Sequence, residues 1–279
     1  MRAVIHIGVH KTGTSALQLF LARNASALLD QGYFYKPTMS EWPNHNPLAL
    51  CFGKGVNDGI GEFLIEKMLE EARGSTLLIS AEMLCEPNID VGKFINTLQG
   101  CDIDIIAYIR HPCDIIVAAF SELMRNYSSN HTMEINTRPL PYSPGQLDVI
   151  KHWIGLDGTR LILAPYDYNQ WPDGSLFSDF INMIGASQDG LDMTHLHANE
   201  SLPFASAEIL RQAIVAGATE QQHSEMLAKL LTIPPEKSPY PLTPETIEIC
   251  FKSMRRALGF YRPFLRAGFQ EDYLLSPRP

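Results

Sequence analysis

The sequence predicts an α/β protein: an open, mostly parallel sheet flanked by helices, with a mainly helical region over 203–279. Three observations lead there. Short apolar runs, AVIHIGV (3–9), TLLISAE (76–82), IDIIAYI (103–109) and RLILAPY (160–166), alternate with stretches of helical spacing. The runs are mostly apolar along their length instead of alternating, as in strands buried on both faces of a parallel sheet. A glycine-rich segment joins the first run to the first helix, the order of a strand, loop and helix unit.

Along the chain, residues 3–9 form the first strand, and Leu17, Phe20, Leu21 and Leu28 then recur at helical spacing. The Gly- and Pro-rich stretch from Lys36 to Gly61 reads as loop with short helical turns. A helix over 62–73 leads to the strand 76–82, and a helix near 90–99 leads to the strand 103–109. Pro112 disfavours helical geometry at His111 but suits a first helical turn, which predicts a helix from 112 to about 126. The polar, Pro-rich stretch 127–146 is a long loop, expected to cover a bound acceptor, with Tyr127, His131 and Arg138 in it. A helix near 146–155, the strand 160–166, a helix over 175–185 and helices from 203 onward complete the series. Neither an internal repeat nor a clean linker interrupts it, so one domain over 1–279 is expected.

Composition narrows the function. With 279 residues and a net charge of -9, the chain argues against general nucleic-acid binding, since a phosphate backbone would meet an acidic surface. Five scattered cysteines, without a C-x-x-C pair, point to reduced thiols and to neither a disulfide framework nor a metal site. The apolar residues 3–7 are too few for a signal-peptide core and no run reaches about 18 apolar residues, so the expected protein has no membrane span and is cytoplasmic. The sequence carries no information on oligomeric state.

The segment GVHKTGTS (8–15) departs from a common phosphate-binding pattern. In G-x-x-x-x-G-K-[ST] a lysine follows the second glycine; here Thr14 and Ser15 follow Gly13, and the lysine is Lys11, two residues before it. A glycine turn between strand and helix aims backbone N–H groups at a site beside a helix N-terminus, where the macrodipole favours an anion. Gly13 permits close approach, and the Thr14 and Ser15 hydroxyls are donors. A second cation, Arg110, follows the strand 103–109 at its carboxyl end, where ligands collect in open α/β sheets and where a guanidinium grips phosphate. Two such devices suggest a ligand with two separated phosphate groups.

These residues resemble the sulfotransferases that use 3′-phosphoadenosine 5′-phosphosulfate (PAPS), a branch of the P-loop fold. HIGVHKTGTS resembles the family segment on the 5′-phosphosulfate, and YIRHPCDIIVAAFS the one on the 3′-phosphate. HNPLAL near 45, ISAE near 82 and Asn199-Glu200-Ser201-Leu202 are weaker matches, so the likeness covers most of the chain. The resemblance implies that Lys11 stabilises the leaving phosphate, that His10, Thr12, Gly13, Thr14 and Ser15 line the cofactor loop, and that Arg110 takes the 3′-phosphate. His10 is read as a packing or hydrogen-bonding member of that loop and not as a catalyst. The family's serine eight residues after the arginine is Ala118 here; Ser121, one turn further and about 60° round the helix, is the partial substitute. Arg266 in LRAGF matches another phosphate-binding segment too poorly to carry weight.

Sulfuryl transfer needs an in-line acceptor, charge stabilisation and a base, and it does not require a metal. Two bases are available, Glu82 at the end of the strand 76–82 and His45 in the loop after the first helix, with Glu82 better placed. The expected reaction moves a sulfuryl group from PAPS to a hydroxyl, or an amine, of a small molecule, lipid or saccharide, releasing adenosine 3′,5′-bisphosphate. The alternatives are a P-loop kinase, disfavoured because the strand ends in Ser80-Ala81-Glu82 without a magnesium-holding Asp, and a non-catalytic nucleotide-binding relative, suggested by Ala118.

Overall fold

The strand β1 (Arg2–Ile7) lies at the centre of a five-stranded, wholly parallel sheet, in the order β2 (Tyr33–Phe34), β3 (Thr76–Ala81), β1, β4 (Asp102–Ile109), β5 (Thr159–Pro165). The structure is a computed structural model that describes residues 1–37, 43–127, 134–136, 148–194, 202–233 and 241–276. Its chain groups into two compact units interleaved in sequence: Met1–Ile109 with Gln146–Ala198 and Tyr261–Gln270, and Arg110–Gly145 with Asn199–Phe260 and Glu271–Pro279. The first holds the sheet and the second is helical.

In the sheet unit, β1 is followed by α1 (Thr14–Arg23) and α2 (Ala25–Asp30), then β2 (Tyr33–Phe34). The helices α3 (Asn46–Leu50) and α4 (Ile60–Ala72) precede β3 (Thr76–Ala81), and α5 (Val91–Asn96) precedes β4 (Asp102–Ile109). β5 (Thr159–Pro165) and α7 (Leu176–Ile184) close the unit. β1 pairs Val4 with Leu78 of β3, and Arg2 with Asp102 of β4. Val4, Leu78, Ile106 and Ala164 form one apolar sheet face on which Leu17, Phe20 and Leu21 of α1 and Phe177, Phe180 and Ile181 of α7 pack. Phe20 and Phe177 stack at 4.4 Å. Ile5 and Ile7 point to the other face by strand alternation and are equally buried, which is why β1 carries apolar residues at consecutive positions.

A polar clamp ties the strand starts together. Asp104 accepts from Arg2 (Nε at 3.0 Å, Nη2 at 2.7 Å) and from Arg160 Nε at 2.7 Å. Arg2 Nη1 also donates to Ile184 O at 2.6 Å, which fixes the last turn of α7 over β1.

The helical unit comprises α6 (Pro112–Arg125), α8 (Phe204–Val215), α9 (Glu220–Leu230) and α10 (Pro244–Tyr261), the last ending at the unit boundary. Ile116, Phe120 and Met124 of α6 pack with Leu210, Leu230 and Phe251. Thr219 and Gln222 form a capping box that starts α9.

The expected α/β class with a helical C-terminal region is what the structure shows, and four expected strands are present. Two details go beyond those expectations. Of the helix expected near 146–155, residues 146–147 lie outside the described residues, residue 148 is helical, and a 3₁₀ turn, Lys151–Trp153, follows, with Trp153 buried edge-on to Phe94. The two-residue β2 was not predicted, because two residues show no periodicity. Most of the expected loop 127–146, with His131 and Arg138, and residues 195–201 lie outside the described residues. Among the described residues no helix is long and apolar enough to cross a membrane.

Candidate functional site

Gly8 N–H donates to Ala81 O at 3.3 Å, carrying the β1–β3 pairing one residue past the strand before the chain turns. A Cβ on Gly8 would lie 2.3 Å from Thr14 Cγ2, so only glycine lets the start of α1 close over the strand end. The turn between them passes through two left-handed residues, Lys11 at φ 64° and Gly13 at φ 73°. A Cβ on Gly13 would meet Leu176 Cδ2 at 2.8 Å and Tyr166 Cε2 at 2.9 Å. Glycine is thus required at Gly13 by both backbone and space, whereas Lys11 occupies a conformation that costs a β-substituted residue energy.

The threonines hold this turn from inside. Thr12 is buried and its hydroxyl donates to Val9 O at 2.5 Å; the Thr14 hydroxyl points to the same carbonyl at 3.5 Å. Of the hydroxyls expected at the anion, Ser15 is the exposed one. Among the described residues no side chain caps α1, whose first intrahelical bond is Leu17 N–H to Gly13 O at 3.0 Å. The N–H groups of its first turn are therefore left to solvent or to a ligand, at the positive end of a ten-residue helix.

Beside the turn, His10 is bound on both ring nitrogens. Nδ1 lies 2.6 Å from Glu82 Oε1 and Nε2 lies 3.3 Å from Glu86 Oε1. Glu82 opens the 3₁₀ turn Glu82–Cys85 that follows β3, so parallel pairing of β1 with β3 places the loop and both carboxylates at one end of the sheet. The hydrogen bond to Glu82, followed by the charges of Glu82 and Glu86, raises the His10 pKa above the ordinary histidine value against partial desolvation. Glu82 Oε2 has no hydrogen bond among the described residues and its side chain is partly exposed. Glu86 was missed by the sequence reading, although its spacing of four residues from Glu82 after a strand end was visible.

His45 is corrected from candidate base to structural residue. It is fully buried, its Nδ1 accepts from Ser80 N–H at 3.1 Å, and its Nε2 donates to Lys36 O at 2.9 Å, so neither nitrogen is left for an acceptor proton. Burial lowers its pKa to about 4. Ser80 also accepts from His45 N–H at 2.9 Å, and its hydroxyl meets His6 Nδ1 at 2.8 Å, a buried hub on β3.

In the helical unit, Arg110 is the half-buried residue directly after β4, Ala118 is buried, and the buried Ser121 Oγ has no hydrogen-bond partner among the described residues. Tyr127 donates to Ala218 O at 2.9 Å. Arg266 belongs to the sheet unit and is bound to the buried Asp179, which also accepts from Tyr108 Oη at 2.9 Å.

No family model and no curated protein match the sequence. Among solved structures, the chain is similar to one from the PezAT chromosomal toxin–antitoxin system of Streptococcus pneumoniae, at 14% identity over 92% of this chain and 87% of that chain. The TM-score is 0.33, too low for that likeness to carry an argument.

Proposed function

We propose that the protein is a PAPS-dependent sulfotransferase, a reading carried by one observation: a glycine turn with Lys11 inside it runs into an uncapped helix N-terminus. The donors fit a phosphosulfate. The N–H groups of the first turn of α1 and the exposed Ser15 hydroxyl donate to oxygens, and the ammonium of Lys11 supplies a compact charge. PAPS supplies the sulfuryl group and a leaving phosphate. Lys11 offsets the negative charge that grows on the leaving oxygen as its bond to sulfur breaks. Glu82 Oε2 takes the proton from the acceptor oxygen as the new oxygen–sulfur bond forms. By the resemblance, Arg110 and Ser121 take the 3′-phosphate, and the acceptor is a hydroxyl or amine of a small molecule, lipid or saccharide.

Calorimetry with adenosine 3′,5′-bisphosphate tests the reading: micromolar binding is expected, and its absence sinks it. Lys11→Ala is expected to lower turnover more than bisphosphate affinity, because its charge serves the transition state. A second reading, a non-catalytic nucleotide-binding relative, is favoured by Ala118 at the expected serine. It prevails if the bisphosphate binds but a broad panel of hydroxyl acceptors receives no label from 35S-labelled PAPS.

A further inference from the structure

We propose that His10 is a positioning residue for Lys11: its imidazolium, strapped between Glu82 and Glu86, holds the glycine turn in the conformation that presents the lysine. Both ring nitrogens face carboxylate oxygens, at 2.6 Å and 3.3 Å. An ionised carboxylate only accepts hydrogen bonds, so both nitrogens carry protons in this geometry and the ring is a cation. The peptide that follows His10 enters Lys11 at φ 64°, a backbone state that lysine does not choose unaided. Thr12 and Thr14 anchor the far side of the turn on Val9 O, and Gly8 anchors the near side on Ala81 O. His10 fastens the middle, on the segment that follows β3.

The strap depends on the second proton. A neutral imidazole has one N–H, so on deprotonation one carboxylate faces a lone pair, and Glu82 and Glu86 lose the cation between them. The charged or titratable groups about the strap are these two carboxylates, Lys11 next in the chain, and two buried groups that feel the carboxylates: His6, which feels Glu82, and the Cys85 thiol, whose pKa burial raises. The ring's own pKa is raised, by the hydrogen bond to Glu82 first, so the strap is closed below that raised value and opens as pH rises through it. It also orients Glu82 so that Oε1 is engaged and Oε2 is left for an acceptor, a point that rests on the sulfotransferase reading.

The test uses the full chain labelled with nitrogen-15, followed from about pH 6 to about pH 9.5, a range that brackets an upward-shifted histidine. Imidazole nitrogen shifts report both protons, and backbone amide shifts of Lys11 and Gly13 report the turn. The expected result is a doubly protonated His10 with a raised midpoint, Lys11 and Gly13 amides that titrate with that midpoint, and a lower midpoint in Glu86→Gln. Bisphosphate affinity is expected to fall about tenfold across the transition and by a similar factor in His10→Gln at the acid end, the loss of a pre-organised site. A neutral His10 at pH 6.5 overturns the proposal, as do turn amides that ignore its titration. Because Glu86 is partly exposed and makes the longer contact, Glu86→Gln keeps the test open if His10→Gln does not fold. A protein whose amides follow His10 but which binds no bisphosphate supports the strap and refutes the sulfotransferase reading alone.

Discussion

His45 pairs with the Ser80 peptide in both directions, through ring and backbone: Ser80 N–H donates to His45 Nδ1 at 3.1 Å, and the backbone N–H of His45 donates to Ser80 O at 2.9 Å. Ring and backbone together do for Ser80 what a further strand would do for β3, and Nε2 satisfies Lys36 O at 2.9 Å. His45→Ala is therefore expected to cost about 2–4 kcal/mol, from an unpaired peptide and a cavity. Urea unfolding measures the cost. A loss of turnover without loss of stability would instead return His45 to the list of candidate bases.

Acid stability follows from the same buried rings. His6 and His45 both have pKa values lowered to about 4, by burial first, against about 6.5 in the unfolded chain. The folded state keeps them neutral, so their contribution is complete above about pH 6.5 and is lost as pH falls towards 4, by roughly 3 kcal/mol per ring at most. The urea midpoint should drop steeply between pH 6.5 and 4.5, and His45→Gln should flatten the slope by about half. His10 has the opposite sign: its raised pKa adds stability that is present at pH 6 and fades as pH rises through the folded value.

Arg266 is expected to matter for folding and not for nucleotide binding. Its guanidinium is bound to Asp179, which is 1% exposed, and its N–H donates to Leu163 O at 2.8 Å. Arg266→Met leaves the carboxylate of Asp179 buried without its cation, at a cost of about 3–5 kcal/mol. Bisphosphate affinity of the folded fraction should not change. Weaker binding at full stability would reassign Arg266 to the ligand.

The strain at Lys11 makes a separable prediction. Lys11→Gly relieves the left-handed conformation and should leave stability unchanged or higher by up to about 1 kcal/mol, while turnover collapses with the ammonium. Gly13→Ala should lose both, since its Cβ would strike Leu176 and Tyr166. Thermal melts and activity on the two variants check the pair; a Lys11→Gly protein that melts well below the parent contradicts the strain.

Much of the sheet was legible because buried parallel strands write themselves as apolar runs, and the runs at 76–82, 103–109 and 160–166 fall on β3, β4 and β5 to within a residue or so. The loop was legible too, since Gly8 answers to Thr14 six residues on and Gly13 to its own left-handed backbone. β2 was not: Tyr33–Phe34 is a strand only because Thr76 and Leu77 lie beside it. At the site, Lys11 lies in the turn, Ser15 is exposed at the start of α1 and Glu82 follows β3, but Thr12 turns inward and His45 disappears into the core.

By itself the sequence determined the α/β class, the strand order of events along the chain and a glycine turn carrying a lysine, all set by patterns within a few residues of one another. The tertiary structure alone decided which polar residues are spent on the fold. His10 meets Glu82 and Glu86 across 72 and 76 residues, and His45 meets Ser80 across 35. Those meetings depend on which parallel strands lie side by side and in what register, and a hydrogen bond between side chains so far apart in the chain leaves no periodic trace in either segment.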